Sequence, residues 1–220
     1  MNYLRFLAAF FILSVCFSCK TKEVVLDPTL YVKIPDVNFE KELIVRGIDS
    51  FQDGQILRHN AEKVTVLSLI GWGWSENRKI KSLSGIEAFK NLTFLNCSYH
   101  LLSVLDLRNN INLRELYCSN NQLISVNLSK NKNLVYFYCE SNRLTNFDIT
   151  KNISLVYLNC SDNQLTSLDV TKNKILVILG CSHDKLINLD ISNNIELKEI
   201  DCWSNSITHL DISNNIALEG

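Results

Sequence analysis

Eight cysteines are the first residues in this 220-residue chain whose type and spacing could do chemistry. Six of them, at positions 97, 118, 139, 160, 181 and 202, stand 21 residues apart without an insertion or deletion. Thiols at a fixed interval suggest either a metal site or a set of disulfides. A metal requires thiolates that converge on one point, and a disulfide requires side chains turned toward each other through a narrow torsion. Cysteines held at one register position by stacked strands do neither: neighbours lie ~4.8 Å apart and point much the same way. The spacing is read as a column of small buried hydrophobes, with no metal and no cofactor.

Carboxylates recur on the same period, as Asp106, Asp148, Asp169, Asp190 and Asp211, with Asn127 completing the series. Paired carboxylates could act as acid and base or hold calcium. A residue repeated in every unit offers no asymmetry by which one copy becomes the acid and another the base. Turn hydrogen bonding is the better reading, with Lys130, Lys151 and Lys172 offsetting repulsion. Ser98, Ser119 and Ser161 recur as scaffold residues, and His100, His183 and His209 form no triad pattern with them. Asp49, Asp53 and Gly54 supply too few ligands for a calcium loop and read as a turn. Nothing here implies an enzyme. With 22 basic and 23 acidic residues, a net charge of -1 and no basic cluster, nucleic acid is excluded as a partner class.

Binding residues are easier to find. In units such as Leu113-Arg114-Glu115-Leu116-Tyr117-Cys118, apolar residues two apart fall on one side of a strand and the residues between them face outward. The interior columns are Leu95, Leu116, Phe137, Leu158, Leu179 and Ile200, with the cysteines beside them. The outward positions gather Tyr117, Tyr136, Tyr138 and Tyr157 near the middle of the array, edged by Glu115, Glu140, Glu199, Asp201 and Trp203. These tyrosines are not needed by the buried pattern. They form a contact surface for a protein or a sugar, or else they shield the sheet. Trp72 and Trp74, in the Gly71-Trp72-Gly73-Trp74 loop, either join that surface or fold over the neighbouring cap.

A period of 21 residues signals a solenoid, whose units must stack to bury their apolar sides. Asn121, Asn142, Asn163 and Asn205 occupy the turn three residues past the cysteine, with His100 and Asp184 as substitutions that should make those turns less uniform. So few residues per coil leave the return leg, for example Leu165, Leu168 and Val170, extended. The chain divides into residues 1–18 as an export signal, 19–33 as a tether, 34–63 as an N-terminal cap, 64–91 as an irregular first repeat and 92–220 as six regular repeats. Asp36 is placed to start a cap helix that buries Phe39 and Leu43, and Gly47 to end it. The first repeat is longer, since Leu67 and Leu95 stand 28 positions apart.

These units resemble the leucine-rich repeats of exported, internalin-like bacterial surface proteins. Leu155-Val156-Tyr157-Leu158-Asn159-Cys160-Ser161-Asp162-Asn163-Gln164-Leu165 carries the likeness, with cysteine in the usual second strand-leucine position. Ile34-Pro35-Asp36-Val37-Asn38-Phe39-Glu40 resembles the capping segment ahead of such arrays. The resemblance implies a leucine-rich repeat solenoid with a parallel β-sheet on its concave face, mostly extended return legs and a short helical N-terminal cap. It also implies a noncatalytic recognition or adhesion module for a protein partner, with glycan or nutrient capture as the alternative.

The apolar run from Phe6 to Phe17 after Arg5, ending in Ser18-Cys19, resembles a bacterial lipoprotein signal. Cys19 would then be lipidated and anchor the exported protein to the outer membrane or cell surface; Cys16 and a plain secretory signal are the alternatives. No capping sequence follows Leu218, which implies a fragment of a longer chain or end-to-end self-association.

Overall fold

The computed structural model describes residues 28–219. The expected signal, Cys19 and the tether up to residue 27 lie outside the described residues.

The cap forms where the residues dictate. Helix α1 (Val37–Val45) starts at Asp36, whose Oδ1 accepts the backbone N–H of Asn38 at 2.9 Å and of Phe39 at 3.0 Å. The other carboxylate oxygen accepts the N–H of Lys81 at 2.7 Å and of Ser82 at 2.9 Å, so one residue caps the helix and ties it to the first repeat. The helix ends at Gly47, which adopts φ 69° and donates to Ile44 O at 2.9 Å. Phe39 and Leu43 are fully buried, with Phe39 against Phe89.

Two features of the cap differ from the sequence reading. Strand β1 (Tyr31–Lys33), assigned to the tether, pairs antiparallel with β2 (Gln55–Leu57), and a second short helix, α2 (Arg58–Glu62), follows. Three-residue strands are too short to display a period. The turn at residues 49–54 is secured by Glu40, fully buried, whose Oε1 accepts the N–H of Asp53 at 2.7 Å and of Gly54 at 2.6 Å.

The repeats stack as a solenoid. Strands β3 (Val66–Ser68), β4 (Phe94–Asn96), β6 (Glu115–Tyr117), β8 (Tyr136–Tyr138), β9 (Tyr157–Asn159), β10 (Ile178–Gly180) and β11 (Glu199–Asp201) form a seven-stranded parallel sheet in that order. Leu67 pairs with Leu95 across the longer first repeat, and every later pairing steps by 21 residues. Return legs are extended, and two of them, β5 (Val104–Asp106) and β7 (Ser125–Asn127), pair as a second small sheet. Leu95, Leu116, Phe137, Leu158 and Leu179 are fully buried, whereas Ile200 and Cys202 in the last repeat are half-buried.

Two columns of asparagine hold the corners. Asn142 donates from Nδ2 to Cys118 O at 3.1 Å and Cys139 O at 3.0 Å, while its Oδ1 accepts Leu123 N–H at 2.9 Å. Asn121, Asn163 and Asn205 repeat the arrangement. A further column lies at the opposite corner: Asn152 donates to Leu128 O at 3.1 Å and Asn131 O at 2.7 Å, and Asn110, Asn131, Asn173, Asn194 and Asn215 match it. Each amide thus satisfies buried carbonyls that a tight coil would otherwise leave unpaired. Beside the first column one residue per repeat takes positive φ, from Tyr99 at 65° to Ser204 at 55°.

Candidate binding surface

The sheet sends the first and third residue of each strand outward, and the repeat brings like positions into columns. Tyr117 and Tyr138 stack with ring centroids 4.6 Å apart and planes at 12°, and Tyr138 and Tyr157 stack at 4.5 Å and 22°. Phe94 extends the row, tilted against Tyr117 at 5.5 Å. Cross-strand ring pairs at these distances stabilise by ~0.5–1.5 kcal/mol each beyond burial and stiffen the face they cover. Tyr136 lies in register with Tyr157 and Glu115 and is 38% exposed.

Tyr117 and Tyr138 stay protonated at neutral pH. Burial in the stack, with Glu115 beside it, pushes Tyr117 up, and burial with Tyr157 and Tyr117 alongside pushes Tyr138 well above the ordinary tyrosine range. Tyr117 donates to Glu115 at 3.5 Å. One oxygen of Glu140 is buried with no hydrogen-bond partner. The face therefore offers rings, hydroxyl donors and carboxylate acceptors on a rigid support.

The tryptophans are placed differently from the tyrosine row. Trp72 is 70% exposed and meets Tyr99 edge-on at 4.7 Å. Trp74 is half-buried against the His100 ring at 5.4 Å, with the Arg78 guanidinium 4.9 Å over its face. Trp203 is 62% exposed and packs on His183 at 4.0 Å. His100, which replaces the corner asparagine, still serves the corner: Nδ1 accepts Ile80 N–H at 3.2 Å and Nε2 donates to Leu69 O. Burial depresses its basicity, so the ring stays neutral.

The ladders that could have been chemical are structural. Cys97, Cys118, Cys139, Cys160 and Cys181 are free and buried, and burial pushes the Cys97 thiol up to about 12. Cys118 and Cys160 donate to Tyr138 O and Gly180 O on the adjoining strands. Thiolate is the reactive form, so these groups are inert at neutral pH. Among the described residues no group of three or more His, Cys, Asp or Glu is placed to hold a metal ion. In the aspartate column each Oδ1 accepts the N–H two residues on, at 2.8 Å in Asp148 and 2.9 Å in Asp169. The adjoining Thr150 and Thr171 hydroxyls donate to the same oxygens and hold both carboxyls below the usual range.

The second asparagine column escaped the sequence reading. Its signal was present, since asparagine stands at 110, 131, 152, 173, 194 and 215 without exception.

No protein-family model matches the chain, and no curated protein matches it. Solved structures do. The functional domain of InlJ from Listeria monocytogenes, which includes a cysteine ladder, aligns at 31% identity and TM-score 0.66, covering 86% of this chain and 46% of that one. A leucine-rich repeat protein of Leptospira interrogans aligns at 25% identity and TM-score 0.61, covering 64% and 39%. Internalin C2 of Listeria monocytogenes shares the fold at 19% identity and TM-score 0.58, covering 84% and 92%. The chain spans less than half the length of the first two. With its 21-residue parallel coils and short helical N-terminal region, it has the fold of a leucine-rich repeat solenoid, similar to these structures.

Proposed function

We propose that the protein is a noncatalytic recognition or adhesion module, exported and held at the bacterial surface by a lipid on Cys19, that binds a protein partner through its aromatic sheet face. The observation that carries this reading is the unbroken row Phe94, Tyr117, Tyr138 and Tyr157, stacked on strands whose core is complete without it. Aromatic side chains on a rigid sheet lose little freedom when a partner docks, so more of the contact energy becomes affinity. Glu115 and Glu140 orient a partner carrying complementary cations, and Trp72, Trp74 and Trp203 add contacts at the margins. Stacked rings also suit the flat faces of sugars, which keeps glycan capture as the second reading.

A photocrosslinking amino acid placed at Tyr136 tests the assignment in bacterial and host surface-protein extracts. The expected result is a specific protein adduct from Tyr136 and none from Val104, an exposed site on the return leg. Equal adducts from both sites would reject the sheet face. Saturable binding on a glycan array without any protein adduct would replace the protein partner with a sugar.

A further inference from the structure

We propose that a second site, a groove along the edge where the strands begin, binds a linear polysaccharide bearing negative charges. The groove is an open trough of about 860 Å³, lined by residues between positions 65 and 175 that precede six successive strands of the sheet. Five strand spacings make it roughly 24 Å long, running along the solenoid axis. Arg114, Val135 and Val156 contribute from the residues just before their strands, and Asn112, Asn133 and Ser154 from two positions earlier.

Charge identifies the ligand. The lining holds Arg114 and no carboxylate. Lys132 and Lys174 immediately precede the lining residues Asn133 and Ile175, and both are exposed. Among the described residues none of these three cations has an ion-pair partner. In sequence they are scattered, which is why no basic cluster is visible there; the 21-residue coil brings Lys132 and Lys174 to the same register two repeats apart, a separation of roughly 10 Å.

The remaining lining narrows the class of polyanion. Asparagine and serine side chains donate to and accept from hydroxyl groups, recurring once per repeat as sugar units recur along a chain. No aromatic ring lines the groove, so it lacks the stacking platforms with which proteins hold single-stranded nucleic acid. A lipid bilayer would meet a flat or raised surface and leave the half-buried lining residues Val135 and Val156 uncovered. Neither the tyrosine row nor the lipid anchor takes part, so the site stands independently of the function proposed above.

The test uses the purified full chain and heparin as a linear sulfated probe, with neutral dextran and vesicles of phosphatidylcholine and phosphatidylglycerol in parallel. Heparin should bind with an affinity that falls steeply with salt, whereas dextran and vesicles should bind at least about tenfold more weakly. The triple variant Arg114→Glu, Lys132→Glu, Lys174→Glu should weaken heparin binding by about tenfold or more with an unchanged unfolding midpoint. A charge-matched control, Lys41→Glu, Arg143→Glu, Lys185→Glu, drawn from exposed positions outside the groove, should change it by less than about twofold. Equal losses in the two variants would show a response to net charge and overturn the groove; so would undiminished binding in the first. Stronger binding to the vesicles than to heparin would reassign the surface to lipid.

Discussion

Asp184→Asn should stabilise the protein at neutral pH, and the gain should vanish in acid. Asp184 occupies a corner where four other repeats place asparagine, and its Oδ1 performs that residue's accepting role, taking Leu165 N–H at 2.8 Å. Its Oδ2 is buried without a partner, in the place where Asn163 and Asn205 carry an NH₂ that donates to two carbonyl oxygens. Burial, with Asp162 adding to it, raises the carboxyl to about 6 from an ordinary 3.8. At ~1.36 kcal/mol per pH unit, ionising this group in the folded state costs about 3 kcal/mol. The sign follows from proton counts. Below 3.8 both folded and unfolded chains hold the proton and there is no penalty; between 3.8 and about 6 the folded chain holds more protons, so stability falls as pH rises; above about 6 the full penalty remains. Urea unfolding should therefore show Asp184→Asn more stable than wild type by about 2–3 kcal/mol at pH 7 and by less than about 1 kcal/mol at pH 4. Asn163→Asp should create the same pH dependence in another repeat. A variant no more stable than wild type at pH 7, or a gain of equal size at both pH values, would refute the reasoning.

Asn152→Ala strips the donors from Leu128 O and Asn131 O in a fully buried corner, and should cost about 2–5 kcal/mol, read by denaturant unfolding and by faster amide exchange in the adjoining coils. Gly71→Ala places a methyl group 2.4 Å from Tyr99 O and 2.7 Å from the His100 ring, so it should destabilise by about 1–3 kcal/mol and change the tryptophan fluorescence. Of the six ladder cysteines, half-buried Cys202 should be the first to react with a maleimide in the native protein, the others reacting only after unfolding, as mapped by mass spectrometry.

The sequence disclosed the repeat register because one unit recurs without a gap, so each apolar position could be checked against five others. Asp36, Phe39, Leu43 and Gly47 were legible in the cap because helix signals are local. Strand β1 was not, since Tyr31–Lys33 acquires its role only by pairing with Gln55–Leu57 more than twenty residues away. The outward tyrosines were legible as a cluster, but the order of the stack was not: Tyr138 packs diagonally on Tyr157, while Tyr136, which shares Tyr157's column, stays exposed. The groove cations were invisible because Lys132 and Lys174, 42 residues apart, look isolated until the coils place them in one column.

The proposed function requires that the tyrosine face bind and that the scaffold not depend on it. Its most direct test measures unfolding and affinity for the crosslinked partner on the same preparation of Tyr117→Ser, Tyr136→Ser, Tyr138→Ser, Tyr157→Ser. Loss of the ring contacts should lower stability by about 1–3 kcal/mol while the repeat spectrum is retained, and partner binding should fall about 100-fold or more. Unchanged affinity in a folded variant would contradict the claim, and collapse of the fold would make the tyrosines part of the scaffold instead.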